Sequence, residues 1–292
     1  MGSDSQYQIP AIEFTMNSPE MDRGTDEWYH LCKKVREACE NYGCFEIVYD
    51  KIPPQLRAET FSASRKLFSL PLETKKHNLN PNPYHGYLGP SVRAPLYEGF
   101  GFEEASNYES LSSLTEDIWS HDQFCYGLEE TSNLIMVSKT LLRLQKYTAP
   151  PSREYTVGSP AHTDKNFGTI LFDDQVSGLE VQTKDEQWVK LSISPRSFVF
   201  VVGDSLMAWS NGRMHSVNHR VMMCGEKERH SLAAFALPIE GSVIKAQKEL
   251  VDEDYPKILK DFDYTDFGKF IYTEGRTIDS QMQVFAFAGI RT

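Results

Sequence analysis

The sequence predicts a mainly β protein, a double-stranded β-helix (jelly-roll) core with flanking helices. Three observations lead there. Between Leu142 and Leu237, short runs rich in branched and aromatic residues recur, each broken by a turn signal, which is the texture of a sandwich or barrel. On both sides of that stretch, apolar residues return at helical spacing. The chain has 292 residues, 40% of them hydrophobic, enough for one large core without requiring a second.

Ile9–Phe14 opens the chain as a short apolar strand, followed by a polar linker. From Asp26 to Asn41, Trp28, Leu31, Val35 and Ala38 fall on one helical face, and Asn41-Tyr42-Gly43 closes that helix. Cys44–Tyr49 reads as a strand. Pro53-Pro54 starts a second helix that runs to about Phe68, with Leu56, Phe61 and Leu67 on its apolar side. Asn80 to Gly101, rich in Pro, Gly and Tyr, reads as an ordered loop with little regular structure. Strands are then expected at Leu142–Tyr147, Thr169–Phe172, Leu179–Thr183, Trp188–Leu191, Phe198–Val202, His219–Met223 and Ser231–Leu237. The tail from Val251 to Ala288 is helical in pattern, with Tyr264, Phe267 and Phe270 facing inward. The expected organisation is a helix-and-strand region at 1–125 that includes the loop 80–101, a jelly-roll core at 126–240, and a helical tail at 241–292 packed on that core.

Composition excludes several classes of function. A net charge of −11 argues against binding nucleic acid through its phosphates, which needs a basic face. No apolar run is long enough to cross a bilayer, and the first residues, MGSDSQYQIP, lack the basic and apolar regions of a secretory signal. Five cysteines without a C-x-x-C pair read as reduced thiols, so a cytoplasmic protein is expected, and the sequence shows no sign of an obligate protein partner.

The chemistry concentrates in the β region. His162-Thr163-Asp164 alone is weak evidence, since a solvated turn gives the same triplet by chance. The discriminating feature is His219, placed at the head of a later strand. Two histidines and one carboxylate on strands of a jelly roll can occupy one face of an octahedron and leave the opposite positions open, an arrangement suited to iron(II). Zinc could bind the same set, so a zinc hydrolase stays open as an alternative. Downstream, Arg229 and Ser231 alternate on a strand candidate, so both can point into one cavity while His230 points away. A guanidinium beside a hydroxyl makes a clamp for a carboxylate. His215 belongs to the turn before His219 and is set aside as a ligand; His30, His77, His85, His121 and His230 read as surface or packing residues.

H-x-D, a later H-R-V and then R-x-S resemble the plant soluble dioxygenases that depend on 2-oxoglutarate and iron. Ile9-Pro10-Ala11-Ile12-Glu13-Phe14 is similar to that family's opening strand, Gly43-Cys44-Phe45 to its G-x-F turn, and Phe68-Ser69-Leu70-Pro71 to its F-x-L-P. Tyr84-His85-Gly86-Tyr87-Leu88, Leu142-Arg143-Leu144-Gln145-Lys146-Tyr147, Gly178-Leu179-Glu180-Val181, Gly203-Asp204-Ser205, Asn211-Gly212-Arg213-Met214-His215-Ser216 and Asp263-Tyr264-Thr265-Asp266-Phe267 resemble the AOP branch, known for modifying glucosinolate side chains, and its auxin-oxidising relatives.

The resemblance implies a jelly roll binding Fe(II) through His162, Asp164 and His219. It places 2-oxoglutarate against Arg229, Ser231 and Tyr147, with O2 as the other co-substrate. Gln145 stands where many members have Asn. Tyr84 and His85 fall in a loop expected to cover the site, where they would touch a small-molecule substrate. The implied reaction releases succinate and CO2 and oxidises a C–H bond, by default to the alcohol. An auxin-type oxidase is the alternative within the family; a second basic residue in the pocket would favour it. One departure stands out: Phe124-Cys125 abuts Tyr126-Gly127-Leu128-Glu129, where relatives are expected to carry a long amphipathic helix. A shortened, catalytically silent isoform is therefore a further alternative.

Overall fold

The structure is a computed structural model that describes residues 8–14, 24–103 and 138–290. The junction at Cys125–Tyr126, where a family helix is expected and missing, lies outside the described residues. Strands β1 (Ala11–Glu13), β2 (Cys44–Val48), β3 (Tyr97–Glu103), β4 (Ser138–Tyr147), β5 (Thr156–His162), β6 (Gly168–Asp173), β7 (Leu179–Gln182), β8 (Trp188–Lys190), β9 (Ser197–Val202), β10 (His219–Met223) and β11 (Arg229–Pro238) form two sheets. The larger runs β1-β2-β9-β6-β11-β4-β3 and the smaller β5-β10-β7-β8. β1 pairs with β2 in parallel; every other pairing in the two sheets is antiparallel.

The alternation of side chains across each strand divides the larger sheet into two faces. On the inner face, Leu171, Val199, Val201 and Ala233 pack with Leu179, Val181 and Val221 of the smaller sheet, closing the jelly roll. On the outer face, Phe45, Ile47, Ile170, Phe198, Phe200 and Val202 pack against the helices. β9 serves both cores, and all six of its residues are buried.

Helix α1 (Asp26–Asn41) buries Trp28, Leu31, Cys32, Ala38 and Cys39, the stripe its sequence predicts. The Thr25 hydroxyl accepts from the Trp28 amide at 3.1 Å and caps its start. At its end, the amides of Tyr42 and Gly43 both donate to the Ala38 carbonyl. Gly43 has φ +69° and lies so close to the His215 carbonyl that a Cβ would sit 2.2 Å from it. Helix α2 (Pro54–Phe68) buries Phe61, Ser64 and Phe68, whereas Leu56, expected on the apolar side, is exposed. Its aromatic ridge meets the outer face: Phe61 is 5.4 Å from Phe172 between ring centroids, and Phe68 is 5.2 Å from Phe100. In the tail, the helix Tyr264–Tyr272 buries Phe267 completely, and Tyr264 and Phe270 pack half-buried against the same core.

Two strands differ from the sequence expectation. β3 lies at the end of the stretch expected to be a loop, because Gly99 and Gly101 interrupt its alternation. β5 was not expected at all: Gly158 and Pro160 weaken its strand signal, and both are tolerated because β5 is the edge of the smaller sheet. The cysteines also differ. Cys39, Cys44 and Cys224 are free thiols, but Cys32 is disulfide-bonded, so the expectation of reduced thiols fails at that position.

Candidate active site

His162 is the last residue of β5 and His219 the first of β10, and the two are direct partners in the antiparallel register. That pairing brings residues distant in sequence to a ring-centroid separation of 4.3 Å. Asp164 follows two residues after β5. Its Oδ1 lies 3.8 Å from His162 Nε2 and 3.7 Å from His219 Nε2. Among the described residues this is the one group of His, Cys, Asp or Glu able to hold a metal, with ligand atoms all within 4.8 Å of one another. His215 is not part of it.

Both imidazoles are held in the useful tautomer. His162 Nδ1 lies 2.9 Å from the Pro160 carbonyl, and His219 Nδ1 lies 3.2 Å from the Val217 carbonyl. A carbonyl only accepts, so each Nδ1 carries the proton and each Nε2 presents a lone pair toward Asp164. Burial, with the neighbouring His219, pulls His162 down to about 4, so the ring is neutral at pH 7. Burial raises the Asp164 carboxyl, but His219, His162, the Thr169 hydroxyl and Lys165 outweigh it and hold it below the usual carboxylate range. Two imidazole nitrogens and one carboxylate result, a set that fits iron(II) and leaves further positions open.

The turn carrying Asp164 is braced by residues to which the sequence alone assigned no role. Thr169 of β6 donates to Asp164 Oδ2 at 2.5 Å. Lys165 Nζ donates to Thr163 Oγ1 (2.7 Å), Asp204 Oδ2 (2.8 Å) and the Ser280 carbonyl (2.8 Å), tying the turn to the helix Asp204–Trp209 and to the tail. Asp204 is 1% exposed; burial raises its carboxyl while Lys165, Ser216 and Thr163 oppose the rise. Gly203-Asp204-Ser205 stood out as a motif, but only the fold shows what it braces.

The second group lies on the inner face of the larger sheet. Arg229 is directly opposite Tyr147, and Ser231 directly opposite Gln145, in the β11–β4 register. Ser231 Oγ donates to Gln145 Oε1 at 3.1 Å. Arg229 is 1% exposed, with its guanidinium carbon 5.5 Å from the centre of the Tyr147 ring. Its Nη2 meets Asp173 Oδ2 at 2.9 Å and its Nε the Val176 carbonyl at 3.1 Å, partners that the sequence did not reveal. They fix the plane of the fork. His230 points to the other face, against Ser64 and Phe68 of α2, as the alternation requires. In the loop expected to cover the site, the Tyr84 ring lies over Arg143 at 4.7 Å, whereas His85 Nδ1 is engaged by Glu103.

Comparison with known proteins agrees with this geometry. Residues 138–238 match the 2OG-Fe(II) oxygenase superfamily, and residues 9–109 match the N-terminal region described as "non-haem dioxygenase in morphine synthesis N-terminal". The chain is 38% identical to the "Probable 2-oxoglutarate-dependent dioxygenase AOP1.2" of Arabidopsis thaliana, covering 96% of each protein. That alignment spans 315 residues, more than the 292 of this chain, so the relative carries sequence absent here. The rice dioxygenase for auxin oxidation superposes with a TM-score of 0.77 at 30% identity, covering 97% of this chain and all of that one. Its Arabidopsis counterpart, solved with 2-oxoglutarate, gives 0.71 at 26% over 85% of this chain and all of that one. The chain belongs to the 2OG-Fe(II) oxygenase superfamily: it is an AOP-like 2-oxoglutarate-dependent dioxygenase that uses iron(II) and 2-oxoglutarate.

Proposed function

We propose that His162, Asp164 and His219 hold the iron, that Arg229 and Ser231 with Tyr147 beside them hold the far carboxylate of 2-oxoglutarate, and that the enzyme hydroxylates a small organic metabolite with release of succinate and CO2. The observation that carries this reading is a pair of registers. His162 faces His219 in one sheet, and Arg229 faces Tyr147 in the other. Bound iron supplies the activation of O2. The residues of the chain do the rest. The imidazoles and Asp164 present three donors on one side. Arg229, oriented by Asp173, receives a carboxylate through a charge-assisted bond. Leu171, Val181, Val199 and Val221 keep water from the interior.

The similarity to Arabidopsis AOP proteins supports a place in plant specialised metabolism. The free thiols of Cys39, Cys44 and Cys224 support the cytoplasm, and the disulfide at Cys32 counts against it. The net charge of −11 supports a small-molecule substrate rather than nucleic acid or an anionic membrane surface; no obligate protein partner is invoked. A second reading, oxidation of an auxin-type acid, draws on the superposition with the rice enzyme.

Anaerobic titration with Fe(II) and 2-oxoglutarate tests the site through the weak visible charge-transfer band of the chelate. The band should form in the wild type, vanish in His219→Ala, and need at least tenfold more 2-oxoglutarate in Arg229→Ala. Folded wild-type protein that gives no band would overturn the reading and favour a silent isoform.

A further inference from the structure

The groups that would clamp the far carboxylate of 2-oxoglutarate are already engaged by the chain's own residues. Arg229 Nη2 lies 2.9 Å from Asp173 Oδ2, and both side chains are buried, at 1% and 7% exposure. Arg229 Nε is taken by the Val176 carbonyl at 3.1 Å. Ser231, the other half of the clamp, donates its single hydroxyl proton to Gln145 Oε1 at 3.1 Å. The arrangement follows from register. Asp173 of β6, Ser231 of β11 and Gln145 of β4 stand on one rung, and Arg229 and Tyr147 on the next rung of the same face.

Asp173 is held where it stands. Its Oδ1 accepts from the Gln175 amide at 3.0 Å, in a turn where Gln175 adopts φ +66°. The next residue ties the same turn to β11 twice. The Asp174 amide donates to the His230 carbonyl at 3.0 Å, and Asp174 Oδ1 accepts from the His230 amide at 3.1 Å. Swinging Asp173 aside to admit another anion would break its turn bond and its ion pair together. Arg57 of α2 is a second cation near enough to feel the carboxylate, but it gives its hydrogen bonds to the carbonyls of Pro195 and Ser197. Among the described residues, Arg229 is the one ion-pair partner of Asp173.

We propose that Asp173 is a specificity residue for the 2-oxo acid: its fixed carboxylate neutralises Arg229, lowering both the affinity for 2-oxoglutarate and the advantage its distal carboxylate confers. This rests on the dioxygenase reading above and deepens it. A free guanidinium would give the co-substrate an undivided charge-assisted bond. Here the arriving carboxylate shares one guanidinium with a second, buried carboxylate. Like charges held close together in a low-dielectric interior repel. The contacts to Val176 and Asp173 use Nε and Nη2 and leave Nη1 for the co-substrate. A 2-oxo acid without a distal carboxylate therefore competes better than it would against an unpaired arginine.

The test uses the full chain loaded anaerobically with Fe(II), in wild-type, Asp173→Asn, Asp173→Ser and Arg229→Ala forms. 2-Oxoglutarate and 2-oxopentanoate, which has the same chain without the distal carboxylate, are titrated by the charge-transfer band. The wild type should prefer 2-oxoglutarate by less than about tenfold, below the roughly 10- to 100-fold of an undivided bond to a charged group. Asp173→Asn keeps an oxygen for Arg229 and removes the charge. It should bind 2-oxoglutarate about tenfold or more tightly and 2-oxopentanoate within about threefold of wild type, and Asp173→Ser should move the same way. Arg229→Ala leaves Asp173 facing the co-substrate, so it should lose 2-oxoglutarate by at least about tenfold and leave 2-oxopentanoate within about threefold. The 2-oxopentanoate band reports a folded, iron-loaded site in every variant. A wild-type preference above about tenfold overturns the proposal. Unchanged or weaker 2-oxoglutarate binding in either Asp173 variant that gives the 2-oxopentanoate band also overturns it, by leaving Asp173 an orienting role alone. A folded wild type that gives no band with either acid overturns the dioxygenase reading, and this proposal with it.

Discussion

Replacing Thr169 with Val should weaken iron binding without touching a ligand. Thr169 is 1% exposed, and its hydroxyl donates to Asp164 Oδ2 at 2.5 Å while accepting from Asn166 Nδ2 at 3.1 Å. Valine fills nearly the same volume, so the change removes the hydroxyl and leaves the packing. Asn166 keeps its bond to the Gly168 carbonyl at 3.0 Å, so its amide is not stranded. Asp164 loses more. A hydrogen bond to a charged group contributes about 1.5–3 kcal/mol, and without it the carboxylate is free to rotate its ligating oxygen away from the two Nε2 atoms. The carboxyl also becomes easier to protonate, so protons compete with the metal from a higher pH. Iron affinity should fall roughly 10- to 100-fold. Anaerobic competition against a fluorescent Fe(II) chelator measures it, with urea unfolding of the metal-free protein as a control for general damage. Thr169→Ser keeps the donor and should stay within about threefold of wild type, since the hydroxyl carries the effect. Equal affinities in the Val and Ser variants would refute the idea that this hydroxyl orients the ligand.

Lys165→Met leaves Asp204 buried without its cation and should cost about 3 kcal/mol in urea unfolding, whereas Lys257→Met, which breaks an exposed pair with Asp261, should cost less than about 1 kcal/mol. His162 and His215 are both held down to about 4 by burial, so below the usual histidine value the unfolded chain takes up protons that the folded chain refuses. Stability of the metal-free protein should thus be full above pH 6.5, fall as the pH drops toward 4, and fall less steeply in His215→Gln; a flat profile would contradict this. Phe267→Ala removes a fully buried ring and should cost about 3–5 kcal/mol, while Leu56→Ala on the exposed side of α2 should stay within about 0.5 kcal/mol, both read from urea midpoints.

The parts of this fold that were legible in the sequence follow a single clear period. The α1 stripe of Trp28, Leu31, Val35 and Ala38 and the strand His219–Met223 are of this kind. Elements whose pattern serves two purposes were not. β3 gives up side chains at Gly99 and Gly101 to admit a loop and a guanidinium, so it no longer reads as a strand. β5 carries Pro160 because an edge strand can lack a donor, and the carbonyl of that proline then orients His162. Leu56 belonged to the helical period but not to the buried stripe, because the sheet meets α2 through Phe61 and Phe68.

The site divides along the same line. His162, Asp164, His219, Arg229 and Ser231 could be singled out as candidates because residue type and spacing mark them, and the fold brings the first three within reach of one another. Thr169, Asp173, Lys165 and Asp204 could not, since a threonine on a strand or a lysine after a turn has a hundred ordinary uses. Their roles depend on register. The β6–β11 pairing puts Asp173 opposite Ser231, and so beside Arg229. Two same-face rungs of register also separate Arg229, which Asp173 neutralises, from Arg143. Arg143 and Arg229 share a face, a residue type and an aromatic setting, yet among the described residues only Arg229 meets a carboxylate.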